Sequence, residues 1–418
     1  MFLHQGDSSS STKAEATATA WPSNTAPATA PCPSQHHPSL YASTPQYTTI
    51  PNAYTLGLKM GGPKYKFHAK WVWDANRNRP VHENATLSFN RDGNLVLADV
   101  DGRVAWQTGT TNKGVVELKL LPNGNLVIYN AKNQFVWQSF DYPSDTLLVG
   151  QSLRLSGPTK IVSRMSDTDG SEGPYSLAMI DIPTITDQLN LYYKPNNSKV
   201  DPVLYYSSSQ QFGVESTVTF NSIPETKEAY SYEIRYETLY PSTWVLARPN
   251  YNSTFSVLRL ASNGNLEVHT YYDKIDHNAW EVTFRLFDKD ADFFNECRLP
   301  SKCGSLGVCE DNQCVACPMP QGFLGWNKSC DAPKIKCNGG NAGYNYYKVV
   351  GVEHFNNWYT EGDGPVKVEE CKAKCDKDCE CLGYFYREDS SMCLLAHVLG
   401  TLIKVSDPTH VIYIKMSK

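Results

Sequence analysis

The residues of this 418-residue chain best suited to covalent chemistry are its thirteen cysteines. Cys32 stands alone. Cys297, Cys303, Cys309, Cys314, Cys317 and Cys330 form one group, and Cys337, Cys371, Cys375, Cys379, Cys381 and Cys393 a second. An even, dense set in short segments predicts disulfides and an oxidising compartment, because cytosolic thiols stay reduced. Zinc is the alternative, since Cys314-x-x-Cys317 has ligand spacing. Structural zinc sites, however, come as two paired knuckles or with histidines at fixed intervals, and neither pattern is present. Signatures of catalysis are also missing: there is no Gly-x-Ser-x-Gly elbow, no His-Glu-x-x-His and no phosphate-binding glycine loop. The chain is therefore read as a non-enzyme that uses no metal and no cofactor. Four glycosylation sequons, at Asn84, Asn196, Asn252 and Asn327, fit the secretory reading and are expected to carry glycans.

Charge and hydropathy exclude two classes of partner. A net charge of -5 and a sequence pI of about 6.1 leave no basic surface of the kind that phosphate backbones require, so no nucleic acid is expected. No stretch approaches the ~20 apolar residues that span a bilayer. Residues 1–48 are dominated by Ser, Thr, Ala and Pro and are expected to form a disordered, low-complexity tail. They show no apolar core after a basic start, as an export signal would. With a disulfide framework downstream, this motivates the hypothesis of an alternative start, which sequencing the 5′ end of the transcript would test.

The elements that position any binding residue are written twice. Asp92-Gly-Asn-Leu-Val-Leu leads to Trp106-Gln-Thr, and 31 residues later Asn123-Gly-Asn-Leu-Val-Ile leads to Trp137-Gln-Ser. Asp-Gly and Asn-Gly predict two-residue hairpin turns, and the alternating Leu95/Leu97 and Leu126/Ile128 predict half-buried strands. Trp73 lies 33 residues before Trp106, so three tryptophans recur at nearly equal spacing, as expected if each hairpin unit gives one ring to a shared core. From Leu153 to Phe293 the chain reads as β-rich, and within it a third echo, Asn263-Gly-Asn-Leu, is followed by Trp280 at a looser spacing. Further strands are expected at Ser176–Ile180, Leu189–Tyr193, Ser231–Tyr236 and Ser256–Leu260.

These units resemble the bulb-type (mannose-binding) lectins, whose sugar strand reads Gln-x-Asp-x-Asn-x-Val-x-Tyr. The first copy here reads Asn90-x-Asp92-x-Asn94-x-Val96-x-Ala98 and the second Leu121-x-Asn123-x-Asn125-x-Val127-x-Tyr129, so neither is complete. The third reads Ala261-x-Asn263-x-Asn265-x-Glu267-x-His269, with a glutamate where a valine would pack on the sugar ring. Trp73-x-Ala-Asn-Arg and Trp137-Gln-Ser-Phe-Asp-Tyr-Pro-Ser-Asp-Thr-Leu-Leu resemble plant S-locus glycoproteins and their epidermis-specific secreted relatives. The resemblance implies a mostly β chain: a bulb-type lectin domain at 49–153, a second, diverged β-prism at 154–293, an EGF-like module at 297–330 and a small α+β PAN/apple domain at 337–418.

By the same resemblance Cys297 pairs with Cys309, Cys303 with Cys314, Cys317 with Cys330, Cys371 with Cys393, Cys375 with Cys381, and Cys379 with Cys337. Thirty-four residues cannot bury a core alone, so the cross-links of the EGF-like module are expected to carry much of its stability, ~2–4 kcal/mol each. Glu369 to Lys377 is expected to form a short helix with Cys371 and Cys375 on one face. The implied function is that of an extracellular glycoprotein of the apoplast or cell wall with degenerate mannose sites at Asn90, Asp92, Asn94 and Val96 and at Asn123, Asn125, Val127 and Tyr129. Its implied partners are mannose-type glycans or wall polysaccharide, and a protein through the PAN domain. The alternative is a structural or protein-interaction glycoprotein of the wall without sugar binding. Related receptor kinases continue into a membrane span and a kinase, and the sequence reads as having neither.

Overall fold

The computed structural model describes residues 16–18, 39–42, 53–61, 69–182, 185–195, 199–208, 216–224, 230–238, 241–249, 255–272, 280–328, 330–335 and 344–416. Three antiparallel sheets form around the repeated hairpins. One holds Thr86–Phe89, Leu95–Ala98 and Val104–Gln107, the second Val115–Leu120, Leu126–Asn130 and Phe135–Gln138, and the third Leu56–Met60 and Lys70–Asp74. Their inward positions share one core, in which Leu58, Leu87, Leu95, Leu126 and Ile128 are buried. Trp73, Trp106 and Trp137 meet there as a triangle with centroids 6.0, 6.1 and 5.7 Å apart and every pair edge-on. Edge-on packing sets the positive rim of one ring against the negative face of the next.

Two pieces of the segment expected to be disordered are strands. Ala16–Ala18 pairs with Thr86–Phe89, and Ser39–Ala42 pairs with Leu56–Met60. Composition failed as a guide because an edge strand is held through backbone groups, which any side chains can accompany. Cys32 lies outside the described residues.

A second set of three four-stranded antiparallel sheets follows: Thr146–Leu148, Phe255–Leu260, Leu266–Tyr271 and Trp280–Arg285; Ser152–Arg154, Thr217–Pro224, Tyr230–Glu237 and Ser242–Ala247; and Lys160–Arg164, Glu172–Ile182, Ile185–Tyr193 and Val203–Ser207. Each sheet receives its first strand from the run just after the repeats. Because Thr146–Leu148 already pairs with Phe255–Leu260, the chain enters these sheets before residue 153. Tyrosine and phenylalanine fill this second core, with Tyr175, Tyr205, Phe220, Tyr232 and Phe287 all buried.

The cysteine-rich segment is not a self-contained unit. Leu306–Glu310 runs parallel to Gly400–Lys404 in a five-stranded sheet that also contains Gly322–Gly325, Gln313–Met319 and Val352–His354. Leu306 and Val308 are buried with Tyr347, Leu402 and Ile412, so the segment borrows its apolar core from the end of the chain. These apolar contacts act beside the cross-links in holding the segment. A four-stranded sheet of Asn345–Val350, His410–Met416, Gly383–Arg387 and Met392–Ala396 carries the helix Val368–Lys377. Cys371 and Cys375 are buried on that helix, and Lys415 reaches under it from the sheet, its ammonium donating to the carbonyls of Cys375 (2.8 Å) and Asp378 (3.1 Å). Those carbonyls otherwise meet only the amides of Asp378 and Cys381 at 3.3 Å, and a cation there lies at the negative end of the helix.

Candidate functional site

Both complete copies of the repeat turn in the same way, and not as a two-residue hairpin. The amide of Gly93 donates to the Asn90 carbonyl (2.9 Å) while the amide of Asn90 donates to the Asn94 carbonyl (2.9 Å), which encloses three residues. Only the glycine takes positive φ, +88° at Gly93 and again at Gly124. This is the three-residue loop whose last position is left-handed, and it places the asparagine after the glycine at the first strand position. The Asp92 and Asn123 side chains brace it by accepting the amides of Asn94 (3.0 Å) and Asn125 (3.2 Å).

Asn94 and Asn125 point inward. The amide of Asn94 donates to Gln107 Oε1 (3.0 Å), and its carbonyl accepts from Thr108 Oγ1 (3.1 Å) and the Thr110 amide (3.2 Å). Asn125 does the same with Gln138 (2.8 Å), Ser139 Oγ (3.3 Å) and the Phe140 amide (3.2 Å). Both are buried, and each clamps its turn to the end of the strand that carries the tryptophan and to the residues just after it. Two of the eight candidate binding residues thus have their side-chain amides committed within the chain. Val127 is fully buried as well, whereas its counterpart Val96 is half-buried.

Asn90 and Asn123 are exposed, Asp92 is half-buried with its second oxygen taken by Thr111 Oγ1 (3.0 Å), and Tyr129 is half-buried. The Tyr129 ring lies edge-on to Phe135 (5.1 Å), with the Lys119 ammonium 5.8 Å from its centre. Gln107, Thr108, Gln138 and Ser139 escaped the sequence reading as functional partners. Their signal was the recurrence of Trp-Gln-Thr and Trp-Gln-Ser at the same distance from the turn.

In the third copy the turn and clamp persist, but the positions that match Val127 and Tyr129 hold a buried titratable pair, Glu267 and His269. Gly264 has φ +88°, and buried Asn265 bonds both backbone groups of Phe287, donating to the carbonyl (2.7 Å) and accepting from the amide (3.0 Å). Glu267 and His269 are buried together at 2.8 Å, with Lys70 Nζ 2.6 Å from the other ring nitrogen and Arg285 3.4 Å from the carboxylate. Burial pushes the His269 imidazole below its ordinary value, against the pull of Glu267, and Lys70 down to about 8.

The quoted motifs around Arg77 and Asp145 lock the two sets of sheets together. Arg77 donates to the carbonyls of Val162, Ser163 and Gly170 at 2.7–2.8 Å. Buried Arg164 bridges Asp145 (3.0 Å) and Asp74 (2.6 Å), with Arg259 3.6 Å from Asp145. Burial opposes the Asp145 charge, yet Arg164, Arg259 and Arg77 hold its carboxyl well below the usual range.

Sequence comparison agrees with this layout. The D-mannose binding lectin profile matches residues 70–167, which include both clamps and the Arg164 bridge, and the S-locus glycoprotein domain profile matches residues 211–329. EP1-like glycoprotein 1 of Arabidopsis thaliana is 43% identical over 88% of this chain and 85% of its own length. The chain belongs to the EP1-like glycoprotein family. Epidermis-specific secreted glycoprotein EP1 of Daucus carota is 45% identical over 73% of this chain and 82% of its own. The G-type lectin S-receptor-like kinase SD2-2 of Arabidopsis thaliana is 27% identical over 77% of this chain but only 39% of its own.

The cysteines of this EP1-like chain are joined as Cys297–Cys309, Cys303–Cys314, Cys317–Cys330, Cys371–Cys393 and Cys375–Cys381. Cys379 is also disulfide-bonded, and Cys337 lies outside the described residues. Cys314 and Cys317, the pair with zinc spacing, therefore sit in two different bridges. Asn84 and Asn327 are exposed, while Asn196 and Asn252 lie outside the described residues. Among the described residues no helix is long and apolar enough to cross a membrane.

Proposed function

We propose that the chain is a secreted, non-catalytic glycoprotein in which two three-sheet β-prisms precede EGF-like (297–330) and PAN/apple-like (337–418) segments, and that the first prism engages carbohydrate weakly. On the pairing of Thr146–Leu148 with Phe255–Leu260 we set the boundary between the prisms near residue 145 rather than 153. The observation that carries the sugar reading is the second repeat, where half-buried Tyr129 and exposed Asn123 remain outward of an intact clamp. Magnitudes limit what such a strand can hold. A Kd of ~1 mM needs only ~4 kcal/mol, and each neutral hydrogen bond contributes ~0.5–1.5 kcal/mol net. Asn94 and Asn125 spend their amides inside the chain, Ala98 stands in the tyrosine position, and Val127 is buried, so binding to a single hexose falls below that level. Affinity is reserved for polymers or clustered glycans that engage several weak sites together. Calorimetry with free mannose is expected to give no heat of binding, and a high-mannose glycan array to give signal. Millimolar or tighter binding of free mannose would refute the worn-site reading, and a blank array would refute sugar binding by these strands.

A second reading, contact with a protein in the wall, is favoured by exposed Phe293 and Trp358, whose rings lie 4.5 Å apart with the Arg298 guanidinium 4.5 Å from each. Exposed aromatic and arginine side chains are the residue types that dominate binding energy at interfaces. If Trp358→Ala leaves retention of the protein on purified epidermal cell walls unchanged, this reading fails.

A further inference from the structure

A cleft of about 470 Å³ opens between the second set of sheets and the C-terminal segment, within the ~300–1,000 Å³ range of small-molecule sites. One wall is the run Lys199–Leu204, and the other is Leu394–Val398 with His354, Asn356 and Asp378. Two buried polar atoms here have no hydrogen-bond partner among the described residues, His354 Nε2 and Asn356 Oδ1. His354 is 3% exposed and lies against Phe355 and Phe385, with ring centroids 3.9 and 5.0 Å away. Leaving such groups unpaired costs ~1–3 kcal/mol each, so they are expected to have a use.

The chemistry of the orphans selects the ligand. His354 is hydrogen-bonded to backbone at Val398 and Leu399, and burial holds its imidazole down to about 3, so the ring is neutral. With Nδ1 carrying the proton toward that backbone, Nε2 is an acceptor. Asn356 Oδ1 is a second acceptor. Both ask for donors. The carboxylate of Asp378 is already met by His397 at 2.7 Å, and the other charged lining residues, Lys199, Asp201 and Glu380, are exposed to solvent, so the buried acceptors are not matched to a cation, and two acceptors disfavour an anion. Half-buried Leu395 and exposed Pro202 offer apolar surface beside the acceptors. Neutral hydroxyls on a ring with an apolar C–H face meet both requirements.

We propose that this cleft binds a neutral saccharide of one or two units, whose hydroxyls donate to His354 Nε2 and Asn356 Oδ1 and whose C–H face lies on Pro202 and Leu395. The site is separate from the repeated strands and does not rest on the reading of those strands. The test uses the full glycosylated chain and saturation-transfer NMR with cellobiose, mannobiose and galactobiose at 10 mM, with putrescine and phosphate as the cationic and anionic alternatives. Binding of at least one disaccharide is expected, weakened about tenfold by His354→Phe or Asn356→Ala. If His354→Phe misfolds by circular dichroism, Asn356→Ala decides alone. The sequon at Asn196 precedes Lys199 by three residues, so the series is repeated on Asn196→Gln. Saccharide binding that emerges only there supports the same site with the chain's own glycan as its occupant. The proposal is overturned if no disaccharide binds in either background, if binding survives both cleft variants, or if only putrescine or phosphate binds.

Discussion

The two sets of sheets use one turn and two different fillings. Gly93 and Gly124 in the first set and Gly264 in the second share φ +88°, and after each comes a buried asparagine that ties the turn to the next strand. Beyond that asparagine they part. The first set closes on three edge-on tryptophans, the second on tyrosines and phenylalanines. Further along the strand, Val96 and Tyr129 in the first set correspond to Glu267 and His269 in the second. The part of the lectin pattern that survives divergence is therefore the part that builds the hairpin. Its persistence says little about sugar, whereas the two positions after it decide what the strand presents.

The largest expected effect breaks the joint between the sets. Asp145→Ala leaves buried Arg164 and half-buried Arg259 without their shared carboxylate, and stripping one partner from a buried pair costs ~3–5 kcal/mol. Chemical denaturation should show that loss, with the two cores melting apart where the parent melts together. Retention of a single transition at parental stability would mean that the joint is held by apolar packing instead.

Removing the clamp tests whether it is a fold device in both sets. Asn125→Ala abandons the Phe140 amide together with Gln138 and Ser139, and Asn265→Ala abandons both backbone groups of Phe287, at ~1–3 kcal/mol per unsatisfied group, so similar losses of ~2–3 kcal/mol are expected. Glycan-array signal should be unaltered in the folded Asn125 variant. A selective loss of that signal at unchanged melting temperature would return Asn125 to the sugar site.

How much of this was legible in the sequence follows from the range of each interaction. Equal tryptophan spacing announced the ring triangle, and alternation located strands such as Phe255–Leu260, because both are written locally. The turn was misread because Asp-Gly and Asn-Gly suit more than one hairpin loop, and the choice is made by where the next residue must point. The asparagine role stayed hidden because its partners lie 13 to 22 residues away in a strand that had no assigned function. Parallel pairing of Leu306–Glu310 with Gly400–Lys404 has no local signature at all, so the cysteine-rich segment looked autonomous when it is not.

Acid should separate the regions further. His269 and His354 are neutral when folded, with burial lowering both, whereas an unfolded histidine takes its proton at ~6.5. Between that value and the folded one the unfolded chain binds more protons, so stability falls as pH falls. For His354, lowered to about 3, the drop from pH 6.5 to 5 amounts to ~2 kcal/mol. In the first set Asp99 acts in the same direction but in a lower pH window. Its burial is outweighed by the His82 amide and ring, the Val100 amide and Arg103, which hold the carboxyl below the usual range. Its contribution is complete above the unfolded value of ~3.9 and is lost only below it. Hydrogen exchange at pH 7 and pH 5 should therefore show protection lost around His269 and His354 and kept around Asp99. Uniform loss across the chain would contradict this division.

The smallest expected effect concerns sugar itself, where the comparison can be sharpened by repair. Leu121→Gln with Asn123→Asp would restore the outer residues of the second copy next to Tyr129. Asp92 already accepts the following amide at 3.0 Å in the first copy, so an aspartate at 123 should preserve the turn. A neutral hydrogen bond adds ~0.5–1.5 kcal/mol and one to a carboxylate ~1.5–3 kcal/mol. A joint gain of ~2 kcal/mol would tighten binding about thirtyfold. Mannose binding should then enter the millimolar range that calorimetry detects, although Asn125 still holds Gln138 and Val127 still lies beneath the surface. A silent double variant that melts like the parent would locate the defect in those two inward residues, leaving the strand beyond repair from its exposed side.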